Sequence, residues 1–271
     1  MGSPKRILIL GGDPQSHQTL RDALGNPDRE FHLAPAEPGS IELAPYDLIL
    51  ASTVDELACA RRIWPETPVI VVASEGTAED VVAAIQAQAY AYFRNPFPVS
   101  ALSAIADHAL GQDIGSGSDV EVLSARLAWL GLRLKCKRDT ADRVVQFVRE
   151  LLTDLGAPGQ ENMATAIREI LSNAIEHGGE LDPARHVTVI CVRTRQSVLC
   201  YIRDPGHGFC FEQLPHAAVS NPAEAPFEHA EVRQRLGMRP GGFGILLARS
   251  LVDELIYNEA GNEALLVKYP P

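Results

Sequence analysis

At 271 residues, 46% of them hydrophobic and 22% charged, the chain can bury the core of one large domain or of two ordinary ones, and this composition excludes a largely disordered protein. A net charge of -11 and a pI near 5.2 make the average surface repel phosphate backbones and anionic membranes, which argues against nucleic acid and membrane surfaces as partners. No apolar run approaches the roughly 20 residues that cross a bilayer, and Cys59, Cys136, Cys191, Cys200 and Cys210 show neither CxxC nor metal spacing, so a cytoplasmic protein with reduced structural thiols is expected.

From residue 7 to 110, short apolar runs alternate with helical periods. "ILIL" (7–10), "LILA" (48–51) and "VIVVA" (69–73) are rich in branched side chains and bounded by turn residues, as parallel strands buried on both faces should be. "FHLA" and "YAYF" are weaker strand candidates. "SHQTLRDAL", "VDELACARRI", "AEDVVAAIQAQA" and "PVSALSAIADHAL" carry apolar residues at helical spacing. A strand-then-helix beat repeated about five times predicts a doubly wound parallel α/β sheet over residues 1–110. "GQDIGSGSD" (111–119) has no apolar period and reads as a linker.

Residues 120–271 form the second expected domain. "VEVLSARLAWLG" is spaced as a short helix, and "LRLKCKRD" alternates as a strand. "TADRVVQFVRELLTDLG" predicts an amphipathic helix with Thr140 as its N-cap and Gly156 as its stop, and "PGQENMATAIREILSNAIEHG" a second helix. Then come strand-like "HVTVICVRT", "SVLCYIRD" and "ALLVKY". Helices segregated from antiparallel strands predict a two-layer α/β sandwich.

Three short stretches of this half point to chemistry. Glu169, Asn173 and His177 recur every four residues and share one helix face, so a carboxylate and an amide can present oxygens to one place. Asn is a poor helix former, at a cost well below ~1 kcal/mol, and taken alone Asn173 reads as a solvated surface residue. "DPGHGF" (204–209) follows a strand directly: Asp204 can accept from an amino group while Gly206 and Gly208 let a flat ligand approach the backbone. Alone it resembles a hairpin turn. In "GGFGILLARSLVDEL", Gly241, Gly242 and Gly244 open an apolar helix, where free N–H groups and the helix dipole suit phosphate. Alone that is a tight turn.

Together and in this order the three are specific. Residues from about 130 to 269 resemble the ATP-binding domain shared by histidine kinases, gyrase-type ATPases and Hsp90-like chaperones, the histidine-kinase-like or Bergerat fold. Within that superfamily they are most similar to the anti-sigma-factor serine/threonine kinases of bacterial partner switching. The strand "LRLKCKRD" and long helix before "EILSNAIEHG" carry that finer likeness, as does "GGFGILLARSLVDEL" with a final strand close behind; no phosphoacceptor-histidine helix pair precedes the domain.

The resemblance implies ATP and Mg²⁺ as cofactors. Asn173 would hold Mg²⁺ on the ATP phosphates, Glu169 would be the general base, Asp204 would bind the adenine amino group with Gly206 and Gly208 making room, and Gly241, Gly242 and Gly244 would cradle the phosphates. Residues 210–240 would be a lid, with one of Arg233, Arg235 and Arg239 reaching the γ-phosphate, or else an ordinary surface loop. His177 is accounted for by a helix C-terminus, and His207 has only its position to recommend it. The implied function is a protein kinase that phosphorylates a small antagonist protein and controls a regulatory target such as a sigma factor. A nucleotide-binding module that engages a partner without significant phosphotransfer is the alternative, and a histidine kinase fragment acting in trans is a third. No GxxxxGK[ST] is present, which sets a P-loop aside.

The first half resembles a response-regulator receiver domain through "ILILGGDP", "YDLILAS", "PVIVVAS" and "FRNPF". The receiver's chemistry is missing: Gly11 and Gly12 stand where an acidic metal pair belongs and Ser52 where an Asp accepts phosphate. Ala73 replaces a small hydroxyl residue, with Ser74 adjacent, and Asn95 replaces the Lys before Pro. Asp13 and Asp47 remain, but strand period points Asp47 away. The resemblance implies a pseudo-receiver serving as a binding or dimerisation surface, with homodimerisation through the family's dimer face; Ser52 as a phosphosite stays open.

Overall fold

The computed structural model describes residues 3–34, 44–111, 118–210, 217–218, 221, 228–237 and 242–271. Most of the expected linker, much of the expected lid, and Gly241 lie outside them. Contacts group Met1–Ser118 with Asp142–Leu151, and Asp119–Ala141 with Leu152–Pro271, as two compact units. Among the described residues no helix is long and apolar enough to cross a membrane.

The first unit runs β1 (Lys5–Leu10), α1 (Pro14–Leu24), β2 (Arg29–Ala34), β3 (Leu48–Ala51), α2 (Val54–Ile63), β4 (Val69–Ala73), α3 (Ala78–Gln86), β5 (Ala91–Arg94) and α4 (Val99–Gly111). Its five strands are all parallel in the order β2-β1-β3-β4-β5, the doubly wound arrangement of receiver-like folds. Ile7 to Leu10 and Leu48 to Ala51 are at most 1% exposed because helices cover both faces. Each fully buried branched aliphatic there is worth about 1.5–3 kcal/mol over exposure. Side chains start the helices: Asp13 accepts from Ser16 N, and Thr53 with Glu56 and Thr77 with Asp80 form reciprocal capping boxes.

Helix α5 (Thr140–Leu151) follows the linker in sequence, yet its residues 142–151 group with this first unit. Its buried polar side chains close the open edge of β5. Arg143 Nε donates to Tyr90 O at 3.2 Å and its guanidinium lies over the Tyr90 ring, while Gln146 Nε2 donates to Tyr92 O at 3.0 Å. Arg94 reaches both the carboxylate and the backbone carbonyl of Glu150, at 2.7 and 2.8 Å. The Thr140 hydroxyl does not cap this helix as expected; it is buried with no hydrogen-bond partner among the described residues.

The second unit is a six-stranded antiparallel sheet, ordered β10-β11-β9-β8-β7-β6, of β6 (Val120–Arg126), β7 (Trp129–Lys135), β8 (His186–Arg193), β9 (Val198–Arg203), β10 (Glu254–Tyr257) and β11 (Glu263–Lys268). Its helices are α6 (Gly156–Asn173), α7 (Glu228–Arg235) and α8 (Gly244–Leu251). The short helix expected in "VEVLSARLAWLG" is instead the β6–β7 hairpin. A register shift between Val122 and Ser124 breaks the two-residue alternation and leaves apolar positions at helical spacing. The helix expected from Gly241 through Leu255 stops at Leu251, and Glu254–Tyr257 pairs antiparallel with β11. Gly156 opens α6 at a φ of 64° rather than ending α5, which stops at Leu151. Met163, Ala166, Ile167, Ile170 and Leu171 are buried along α6.

Candidate functional site

The site is built around the C-terminal end of α6. After Asn173 the helix widens into a π-helical turn, Ala174–Gly178, a distortion often found at functional sites. Glu169 and Asn173 lie one turn apart, as their spacing predicted, and both line a cavity of about 520 Å³ within the second unit.

At one end of the cavity β9 delivers Asp204. A Cβ on Gly178 would sit 2.2 Å from the Asp204 carboxyl carbon, and one on Gly206 would be 2.9 Å from its Oδ1; only glycines let the helix end and the turn close on this carboxylate. Gly206 N donates to Asp204 Oδ1 at 2.7 Å. Burial nevertheless outweighs that donor and raises the Asp204 pKa above its ordinary value. Gly208, at a φ of 77°, packs directly on Ala260 O. Phe209 meets Tyr257 edge-on at 5.2 Å, and burial, then the Asp204 charge, raises the Tyr257 pKa.

The other end is made where α8 begins. A Cβ on Gly244 would stand 2.7 Å from Glu169 Oε2 and 3.6 Å from Asn173 Nδ2, so the first turn of α8 lies against the two polar residues of α6. Gly242 precedes it at a φ of 91°, a left-handed conformation natural to glycine. From the segment expected as a lid, Arg233 of α7 lines the cavity and Arg235 is exposed, while Arg239 lies outside the described residues. His229 seats this helix: it is fully buried, bonded to Asn221 through Nδ1 and its backbone N, and edge-on to Phe243 at 4.4 Å.

Glu169, Asn173, Asp204, Gly206, Gly208, Gly242 and Gly244 thus line one cavity, while Gly241 falls outside the described residues. His177 and His207 line it as well. Three further lining residues were not singled out by sequence. Gly178 looked like a helix stop only. Tyr257 lies two residues beyond the predicted helix, which ended at Leu255, and carried no signal of its own. Asn262 belongs to the turn "NEAGN", whose composition marks a loop but not its destination; Asn262 Nδ2 donates to Gly206 O at 3.2 Å, and Asp204 N to Asn262 O at 3.0 Å.

Among the described residues, the carboxylates Glu169, Glu176, Glu180 and Asp204 line the cavity with the guanidinium of Arg233. Such a wall can accept from an amino group at its Asp204 end. It can take a polyanion only when cations accompany it.

The end of β1 in the first unit is different. A Cβ on Gly11 would fall 1.9 Å from Glu56 Oε1: the Glu56 carboxylate occupies the space beside Gly11, accepting from Ser52 N at 2.6 Å and Thr53 N at 3.2 Å. Ser52 Oγ donates to Leu10 O at 3.2 Å, and His17 Nε2 lies 2.6 Å from Gly11 O. Asp13 serves as the α1 cap, and Asp47 bonds Lys5 Nζ and Arg6 N at the opposite ends of the strands.

Residues 129–268 match the family model described as the histidine kinase-like ATPase domain. Among solved structures, the chain is similar to a CheY-like response-regulator receiver domain protein from Methanospirillum hungatei JF-1, at 24% identity over 40% of this chain and 94% of that one, with a TM-score of 0.35. It is also similar to a receiver domain protein from Clostridium thermocellum, at 18% identity over 39% of this chain and 94% of that one, TM-score 0.35. A third is the signal receiver domain of an HD domain-containing protein from Pseudomonas fluorescens Pf-5, at 19% identity over 40% and 94%, TM-score 0.35. No curated protein matches the chain.

Proposed function

Because this chain belongs to the histidine kinase-like ATPase family, we propose that its second unit is an ATP- and Mg²⁺-dependent serine/threonine protein kinase of the anti-sigma type, acting in bacterial partner switching. Short of that activity, the chain joins a unit with a doubly wound parallel sheet to a histidine kinase-like ATPase unit.

The observation that carries the reading is the pair of glycine contacts spanning one cavity. Gly178 and Gly206 admit Asp204 at one end, and Gly244 brings the helix start onto Glu169 and Asn173 at the other. In this reading Asp204 accepts from the adenine amino group and Gly206 and Gly208 admit the ring. The α8 amides after Gly242 and Gly244 take phosphate oxygens. Asn173 offers one neutral oxygen to Mg²⁺, which completes its shell with phosphate and water; the cation would offset the excess of carboxylates in the wall. Glu169 holds and orients a substrate hydroxyl and takes its proton. Arg233, on the lid helix, reaches toward the phosphate end. The acceptor is a hydroxyl on a small antagonist protein, and its phosphorylation state sets whether a regulatory target such as a sigma factor is held or released.

Labelled ATP, Mg²⁺ and small antagonist proteins encoded beside this chain test the reading. Label should appear on a partner serine or threonine and vanish with Glu169→Gln, while nucleotide binding persists. Binding without transfer to any candidate would replace the kinase with a nucleotide-driven partner switch, and absence of binding would overturn both.

A further inference from the structure

The β8–β9 hairpin holds two of the five cysteines face to face. Cys191 and Cys200 are register partners in the antiparallel pair. Thr194 N bonds Ser197 O across the turn, and because hydrogen-bonded and open positions alternate along such a ladder, Cys191 and Cys200 fall at an open position. There the Cα atoms approach to about 4.5 Å and side chains stand closest, inside the Cα range a disulfide accepts. The two Sγ atoms are 2.8 Å apart, less than an ångström beyond the bonded length of about 2.0 Å. Cys59 and Cys136 are buried and Cys210 is exposed.

We propose that Cys191 and Cys200 form a reversible dithiol–disulfide couple, a redox modification site on the hairpin that carries Asp204. The co-reactant class is a low-molecular-weight disulfide. Cys191, 8% exposed against 0% for Cys200, is the sulfur such a reagent reaches first. Its thiolate attacks one sulfur of oxidised glutathione, forms a mixed disulfide and expels one glutathione thiolate. Cys200 sulfur then attacks Cys191 Sγ and displaces the second. Two protein protons end on two glutathione thiols, and the two electrons lost by the cysteines reduce the glutathione disulfide. The hydrogen bond with Cys191, then burial, raise the Cys200 pKa, so exchange in the folded protein is slow.

The inference does not depend on the proposed kinase activity. The whole 271-residue chain is equilibrated in glutathione buffers from reduced to oxidised, both folded and by refolding from denaturant so that burial does not limit access. It is then quenched in acid, unfolded and alkylated. The expected product carries three alkyl groups instead of five, has lost two hydrogens, about 2 Da, gives one peptide joining 191 to 200, and returns to five on reduction. Cys191→Ser and Cys200→Ser should each abolish that link. Five alkylatable cysteines after oxidised refolding, or a link that involves Cys59, Cys136 or Cys210, overturns the proposal; glutathione carried singly on exposed Cys210 is counted by mass and does not enter the tally.

Discussion

Each unit uses a glycine to make room for a carboxylate at the end of a strand, and the two arrangements work in opposite ways. Gly11 admits Glu56, whose Oε2 accepts from both Ser52 N and Thr53 N. The chain's own anion satisfies those amides. Gly178 admits Asp204, whose donor among the described residues is Gly206 N, and this carboxylate borders a cavity of about 520 Å³. One site is closed on itself and the other faces space for a ligand. A glycine beside an acid is therefore not a functional signature until the acid's hydrogen-bond partners are counted.

The sharpest way to break this contrast is to fill the second glycine. Gly178→Val places carbon where Asp204 now sits, so affinity for ATP with Mg²⁺ should fall by about 100-fold or more, a loss of roughly 3 kcal/mol, while circular dichroism shows the fold retained. Unchanged titration calorimetry would mean that Asp204 does not face the ligand. Removing the charge alone should do less. Asp204→Asn gives up one charge-assisted bond and should weaken binding by about 30-fold, ~2 kcal/mol. Since burial raises the Asp204 pKa, wild-type affinity should decline as pH falls through a value above the ordinary carboxylate range, and the Asn variant should lack that decline.

In the first unit the same operation should act on stability and be reversible. Gly11→Ala meets Glu56 Oε1 and a φ of 60°, and should cost about 1–2 kcal/mol for the backbone conformation alone, with a further penalty from the clash. Adding Glu56→Ala should recover the clash component, about 1 kcal/mol of coupling. No such rescue is expected between Gly178→Val and Asp204→Ala, because there the carboxylate is what the ligand needs. Trp64 is buried in the first unit, so its fluorescence in a Trp129→Phe background reports that unit's unfolding within the whole chain.

The elements that could be read from sequence were those whose signal is local. Four-residue spacing placed Glu169 and Asn173 together, and the buried runs of β1, β3 and β4 announced a parallel sheet. The failures share one cause, long-range pairing that overrides a local period. Strand β6 looked helical because its bulge erased the alternation that β7 restores by pairing. Arg143, Gln146 and Glu150 marked the polar side of an amphipathic helix, yet they are at most 8% exposed, because the edge carbonyls of Tyr90 and Tyr92 and the Arg94 side chain needed partners. Glu56 lay unremarked inside a predicted helix, where it completes a capping box with Thr53; that its second oxygen fills the space beside Gly11 depends on a contact 45 positions away.

The smallest expected effect decides what the Glu56 carboxylate contributes. Burial raises its pKa and outweighs the lowering by the Ser52 and Thr53 amides. The folded unit then binds this proton more tightly than the unfolded chain does, so its stability should fall as pH rises from the ordinary carboxylate range through the raised folded value, and recover as pH is lowered again. Glu56→Gln keeps an oxygen for the two amides and carries no charge at any pH. The difference between wild type and variant, read from Trp64 unfolding midpoints between about pH 4 and 7, isolates this group from every other carboxylate. It should slope against the wild type by less than ~1 kcal/mol, since a partly exposed group is screened by solvent. A slope of the opposite sign would show that the amides outweigh burial, which makes the pocket a preformed anion site that Glu56 occupies rather than a space it plugs; the contrast with Asp204 would then narrow to the identity of the anion alone.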